Sequence, residues 1–531
     1  MNNKINVNSL NLLILGGIFL IFLSIINPNF IFDPINLKHW STYHRDDIVF
    51  VYNSLLYAEG LEQHHLDHPS VFTFIIFPFF YKLAFYIGYL DFYDLTGFLK
   101  SEEINISLSK LFFISRLCIQ LFSLGIILII YKIIIKFSTR TMDSFLITFF
   151  FIFSTGFTSA SDRIESGLIA VFFALLAFYL FLKFLEKKNK LNLIYLISIF
   201  LLVFSAMMQK KIIYFALPFL FLSSYVFLKK NRIKYYDYKI LNKFYINYKY
   251  LLFLMYLLVF FFISYKTIIN NTFFLDRDLD FVFLVLNYSG FNILFYLYIK
   301  YYQNEYYKNL LTYNIIFGCV YILYKYFLIY FFSVSVAIWS ISFTNFLGHL
   351  NLFSNTESLK GAFNFGSVLL YGEIFIRNLK IVFFKNLFSF SFQSILVWAN
   401  LILFSIFYKK IKLKEKISIY ILFSGFLFVH SVILFRYEQD TYFLNSEFFL
   451  LFSLSIFFKY FKININYIFG SVVIITMLLL SNVTHFKKIK MNNSTSYCYT
   501  SDPRADVGYY KYWTNKFPET VILKFCNDIK L

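Results

Sequence analysis

The sequence predicts an all-α, polytopic membrane protein with about thirteen transmembrane helices, and three observations carry that prediction. Of 531 residues, 59% are hydrophobic and 24% aromatic, with a mean hydropathy of +0.65. Apolar segments long enough to cross a bilayer recur along the chain. Lys clusters lie between them and fall on one side when the segments are threaded alternately. Only 7 Pro and 17 Gly are present, so long helices meet few breakers. The abundance of Phe and Tyr, alongside Ile, Lys and Asn, matches the coding bias of an AT-rich genome and is not taken as a ligand-binding signature.

A crossing helix needs about twenty apolar residues, because its backbone groups must bond to one another in lipid. Such segments lie near 10–27, 113–135, 144–161, 167–185, 191–209, 211–228, 250–268, 281–299, 310–332, 387–407, 417–435, 443–458 and 466–483. The first has no small-residue cleavage site and leads into further spans, so it reads as an uncleaved anchor. Residues 71–90 are also apolar, with Phe72, Phe74, Ile75, Ile76, Phe77, Phe79 and Phe80. Counting them as a span would invert every later loop, so they read as an interfacial or re-entrant helix.

Loop charge orients the spans. Lys132, Lys136 and Arg140, then Lys183, Lys187, Lys188 and Lys190, then Lys229, Lys230, Arg232 and Lys234, then Lys409 to Lys416 fall in connections that the positive-inside bias makes cytoplasmic. The formal net charge of +20 therefore belongs to topology and anionic headgroups, not to nucleic acid. The first long loop, 28–112, is acid-rich and falls outside. So does a second external cap at 333–386. The expected division is a transmembrane domain over 1–484 and a short external tail over 485–531. The protein is thus placed as a multi-pass integral protein of a bacterial inner membrane with its working face outward, or of the endoplasmic reticulum in a eukaryote. Cys118 and Cys319 lie in apolar spans, whereas Cys498 and Cys526 share the tail, where an oxidising compartment permits a disulfide or leaves two free thiols.

The first external loop concentrates the titratable groups. Arg45-Asp46-Asp47 is followed by Tyr52, Gly60, His64, His65, Asp67, His68 and Pro69. Ile48, Val51, Tyr52 and Leu55 repeat at i, i+3, i+4 and i+7, and Gly60 follows as a terminator, which predicts an amphipathic helix over 48–59 lying at the interface. Asp46 at its start can be a helix N-cap with no chemistry, or a reacting carboxylate. His64, His65, Asp67 and His68 offer ligand atoms, but adjacent histidines on a loop are not a specific metal spacing, and no metal site is assigned. Asp276-Arg277-Asp278 is a short, common pattern. Lys210 and Lys211, taken singly, are ordinary interfacial lysines.

Several of these segments together resemble the GT-C glycosyltransferases, in particular the dolichyl- and polyprenyl-phosphate-sugar-dependent family that includes protein mannosyltransferases and the lipid A aminoarabinose transferase. The resembling residues are Asp46-Asp47, Tyr52, Leu55-Leu56, Gly60 and Asp67-His68-Pro69-Ser70 in the first loop. Ser115-Arg116-Leu117 enters the second span, Ser161 to Leu168 forms a second acidic turn, Gln209-Lys210-Lys211 a Lys-containing turn, and Arg436-Tyr437 opens a later loop. The likeness covers the first 220 residues well and the rest thinly. Asp47 stands where the family usually has Glu, one Pro where two are common, and His68 where some members have Lys.

The resemblance implies a GT-C fold and an inverting glycosyltransferase. It would take sugar from an undecaprenyl- or dolichyl-phosphate carrier and deliver it to a hydroxyl of a glycan, lipid or protein on the non-cytoplasmic face. Such a reaction needs a base for the acceptor proton and cations for the departing phosphate. Asp46 is the expected base. Asp47, Tyr52, His68, Asp162, Arg163, Glu165, Lys210, Lys211 and Arg436 are the expected substrate-binding residues. Carboxylates are weak bases toward alcohols, so positioning must supply much of the rate. No cofactor is required, a divalent metal is compatible, and the partners are the lipid-linked donor, the acceptor and membrane lipid. A flippase for lipid-linked saccharide would instead show paired half-chain repeats and charges at the midplane, which the sequence does not display. A noncatalytic assembly subunit would tolerate loss of Asp46.

Overall fold

The computed structural model describes residues 7–26, 45–63, 70–102, 104–138, 140–164, 166–186, 193–210, 213–228, a few positions between 320 and 333, then 372–381, 392–433 and 440–460. The predicted spans near 250–268, 281–299 and 466–483, most of 310–332 and of the cap at 333–386, Asp276 to Asp278, and the tail with Cys498 and Cys526 lie outside the described residues. All regular structure among the described residues is helical. In chain order the helices are α1 Val7–Ile26, α2 Arg45–Ala58, α3 Val71–Tyr86, α4 Leu95–Leu99, α5 Ile104–Ser138, α6 Thr141–Ile152, α7 Thr155–Asp162, α8 Ser166–Glu186, α9 Leu193–Gln209, α10 Ile213–Leu228, α11 Phe392–Phe407, α12 Leu413–Ile433 and α13 Asp440–Phe458.

Two of these, Ser109–Ser138 within α5 and the whole of α8, are long and apolar enough to cross a membrane. A third crossing is made if α6 and α7 count as one span bent by 59°. Six further apolar helices are 10–17 residues long. The described residues therefore carry a helical bundle with two or three full-length spans, fewer than the thirteen expected. The segment expected as one continuous span over 144–161 is the bent pair. Its break at Phe153-Ser154 has a local cause: Ser154 is extended and its side chain accepts from Phe157 N, so a new helix is capped within the apolar run.

Large apolar side chains project from the bundle in rows, as a lipid-facing surface requires. On α5, Leu117, Leu121 and Leu128 are exposed, while Ile119, Ile126, Ile130 and Phe137 are buried. Inside, aromatic rings stack across elements: Phe19 and Phe151 meet Phe157 at 5.5 and 4.4 Å, and Phe22 meets Phe153 at 4.7 Å. These pairs hold α1 against the break between α6 and α7.

Polar contacts gather the Lys-rich helix ends at one end of the bundle. Tyr131 of α5 donates to Asn8 Oδ1 of α1 at 3.0 Å, and Lys136 meets Glu186 at the end of α8 at 2.6 Å. Arg140 Nη2 reaches the Lys459 carbonyl at 3.5 Å, and Lys459 pairs with Glu415 of α12 at 2.9 Å. Glu415 also accepts from Lys412 N and from the Tyr460 hydroxyl, tying the start of α12 to the end of α13. Since α5, α8 and α13 run into this end, α2, the turn 162–164 and the start of α13 lie toward the opposite one.

The first loop is folded rather than draped. α2 closes at Gly60, whose φ of +77° is the left-handed geometry glycine adopts without strain. Gly60 N bonds Tyr57 O and Leu61 N bonds Leu56 O, a pattern that satisfies the last carbonyls of α2. The predicted helix is thus present, but it is not a one-sided interfacial helix, since every residue from Val51 to Leu56 is buried. Nor is Asp46 an N-cap, because α2 begins at Arg45. Glu59 accepts from Thr96 N at 2.9 Å, and Asp94 caps α4 through Gly97 N at 2.8 Å. α3 then runs antiparallel along the first third of α5, with Tyr81 OH and Ser115 Oγ 2.7 Å apart.

α7 packs backbone to backbone against α13. A Cβ placed on Gly156 would stand 2.3 Å from Leu444 N and 2.8 Å from the Phe443 carbonyl carbon. Main chain cannot retreat as a side-chain tip can. Gly156→Ala is therefore expected to lower stability by about 1–3 kcal/mol, while Gly17→Ala, whose Cβ would meet nothing within 4 Å, leaves it unchanged or slightly raised. Thermal unfolding of the detergent-solubilised variants checks this, and equal midpoints for both would refute the close approach.

Candidate functional site

The polar residues of the predicted loops converge at the end of the bundle away from the lysine clusters. Asp47, in the first turn of α2, is 1% exposed. Its Oδ1 accepts from Ile164 N at 3.1 Å, and its Oδ2 faces Arg116 Nη2 of α5 at 3.5 Å. Arg163 and Asp162 lie close enough to act on its charge. One carboxylate therefore joins the acidic loop motif, the arginine of the second predicted span and the second acidic turn.

Why α5 can host this is plain from its spacing. Arg116, Gln120 and Ser123 recur at i, i+4 and i+7, so they form one polar stripe on the buried side of an otherwise apolar helix. Arg116 takes Asp47. Gln120 Nε2 donates to Ser161 O at 2.5 Å, and Ser123 Oγ to Ser161 Oγ at 3.0 Å. The stripe thus fastens α2 and the last turn of α7 to the same helix. In an apolar bundle each of these groups needs its partner, because an unbonded polar atom there costs more than the bond yields.

A second junction lies at the end of α9. Gln209 Oε1 accepts from Phe72 N at 2.9 Å and Thr73 N at 3.3 Å, and its amide nitrogen reaches Thr73 Oγ1. These are orphan donors in the first turn of α3, which Ser70 leaves uncapped by its own side chain. The Gln-Lys turn is in this way bonded to the step that follows Pro69. Lys210 beside it is 6% exposed, and its N–H donates to Ala206 O at 2.9 Å.

Burial pushes the Asp47 carboxyl up to about 8, against the pull of Arg116, the Ile164 N–H and Arg163 and with the push of Asp162. Desolvation wins because the guanidinium stands at 3.5 Å rather than in a tight two-bond fork. Asp47 is thus a proton-holding group near neutrality, and its partners fix its position.

Of the expected site residues, the structure brings Asp47, Asp162 and Arg163 together, joined by Arg116, which was not among them, with Tyr52 buried one helical turn and a half along α2. Lys210 belongs to the second junction. Asp46 is the second residue of α2, with its side chain outside the described set, and His68, Glu165, Lys211 and Arg436 lie outside the described residues. Among the described residues no three His, Cys, Asp or Glu gather as a metal would need; His64, His65 and Asp67 are outside them. Sequence reasoning missed Gln120 and Ser123, although both continue the Arg116 stripe at legible helical spacing. It also passed over Glu447, a lone acid in the apolar run 443–458, which is fully buried between helices.

No protein-family model, curated protein or solved structure matches the chain.

Asp47 gives the site a pH signature. Its folded value of about 8 lies above the unfolded carboxylate range near 4, so its contribution to stability is complete below pH 4, declines as pH rises toward 8, and is level beyond. The decline is at most about 1.4 kcal/mol per pH unit. Unfolding midpoints measured from pH 5 to 9 are expected to fall in the wild type and to flatten in Asp47→Asn. Parallel profiles would show that Asp47 is ionised in the folded protein.

Proposed function

We propose that the protein is an inverting membrane glycosyltransferase of the GT-C type, using a polyprenyl-phosphate-linked sugar on the non-cytoplasmic face of a multi-pass, thirteen-span domain. The observation that supports it best is the Asp47 junction. Three segments that resemble the GT-C family, distant in sequence, meet at one buried carboxylate, and they do so away from the Lys-rich end.

In this reading an acceptor hydroxyl attacks the anomeric carbon as the bond to the lipid phosphate breaks. The hydroxyl proton passes to Asp46, and the electron pair leaves with the phosphate. Asp47 holds Arg116 and the Asp162–Ile164 turn around the start of α2, so that Asp46 is presented on a fixed first turn. Arg163, Lys210, Lys211 and Arg436 offset charge on the departing phosphate, which favours departure most where water is excluded. Asp162, Glu165, Tyr52 and His68 contact sugar or acceptor. Exposed apolar rows such as Leu117, Leu121 and Leu128 offer the donor's isoprenoid tail a lipid-side approach. No cofactor enters the step. The acceptor class is a glycan, lipid or protein hydroxyl.

The test is transfer from radiolabelled polyprenyl-phosphate sugars by the purified full-length chain. Wild type is expected to turn over, and Asp46→Asn to lose about 10²–10⁴-fold, the usual worth of a general base. Undiminished transfer by Asp46→Asn would remove the base assignment. A wild type that moves intact lipid-linked saccharide between leaflets and transfers nothing would favour the flippase.

A further inference from the structure

α7 begins inside the bundle, directly after the two-residue break, and ends in the turn that touches Asp47. Its first N–H groups need partners that a continuous helix would have supplied. Ser154 serves one of them, its side chain taking Phe157 N at 3.1 Å, and its carbonyl accepts the first regular helix bond, from Thr158 N at 2.9 Å. Gly156 N goes elsewhere. It donates to Glu447 Oε1 of α13 at 3.1 Å, across 291 residues of sequence, and Gln393 Nε2 of α11 donates to the same oxygen at 2.5 Å.

Glu447 is fully buried, and an acid in that environment is retained only where it is bonded. The contact admits little slack, since the missing Cβ of Gly156 lets the main chains of α7 and α13 touch. From that anchored start, α7 is an eight-residue rod. Its far end supplies Ser161 to the Gln120–Ser123 stripe and leads into Ile164, whose N–H holds Asp47 Oδ1.

We infer that Glu447 is a positioning residue for the Asp47 site: by capping α7 from α13, it sets where the Asp162–Ile164 turn, and with it Asp47 and the first turn of α2, stands. The inference rests on the glycosyltransferase reading for its catalytic consequence, but not for the mechanical coupling. It makes the N-terminal site depend on a residue of the C-terminal helices, 291 positions beyond Gly156.

The experiment compares wild type, Glu447→Gln and Glu447→Leu in the purified full-length chain. Gln keeps an acceptor for Gly156 N; Leu removes it. Amide hydrogen exchange of the 155–164 segment is expected to rise by up to about tenfold in Glu447→Leu, the net worth of a hydrogen bond, and much less in Glu447→Gln. Exchange in α9, remote from Glu447, should stay at the wild-type level. Exchange unchanged in 155–164, or raised equally throughout, overturns the inference. Should Glu447→Leu not fold, Gln393→Leu takes its place, with a smaller rise confined to the same segment expected and none overturning the inference. Radiolabelled transfer supplies the second arm. Glu447→Leu should slow it in the Asp47 background and add nothing further in Asp47→Asn, whereas independent, multiplying losses would mean that Glu447 does not act through Asp47. Localised exchange in a protein that transfers no sugar would leave the coupling standing and remove the glycosyltransferase reading.

Discussion

A helix that starts within apolar surroundings has N–H groups that water cannot reach, and each must find an acceptor or cost several kcal/mol. Two of the helices around the site start this way, and both borrow acceptors from far along the chain. Gln209 serves α3 and Glu447 serves α7. In a soluble protein such caps would be local and replaceable. Here they decide which helices can be neighbours, because α3 cannot begin where it does without α9, nor α7 without α13. The positions of Asp47 and Arg116 follow from those pairings.

The Asp47 junction shows how little margin a buried charge has. Arg116 at 3.5 Å offers attraction, yet the loss of hydration outweighs it and pushes the carboxyl upward. The junction therefore contributes more to geometry than to stability. Its two oxygens accept from two different elements, so α2 is fixed by a pair of bonds that no rigid-body slide can keep together.

Much of this was legible in the sequence. The helix after Asp46-Asp47 and its stop at Gly60 followed from spacing and from one residue type. Asp47, Arg116 and the 162–164 turn, which the sequence marks separately, meet in the fold. What escaped was nonlocal. Residues 48–59 display apolar periodicity, and nothing in them reveals that neighbours cover the polar side as well, so the helix looked interfacial and proved buried. The run 144–161 was continuous in hydropathy, and the break lay in Ser154 and Gly156, two small residues whose meaning depends on an acid nearly three hundred positions away. Glu447 was passed over for the same reason. Hydropathy reports what a residue avoids, and it is silent on what it bonds.

The reach of the Gly156–Glu447 bond also bears on how the protein is made. A ribosome emits roughly 5–20 residues per second, so the 291 residues between the two partners take about 15–60 s to appear. For that interval the early helices are already inserted while α7 lacks its cap. Loop closure over such a length is entropically mild, costing only about 0.6 kcal/mol per doubling, so the delay is one of supply rather than of energy. The newborn chain thus completes the corner around Asp47 only after α13 has emerged, and a product that stops short of Glu447 would lack the bond that fixes the start of α7.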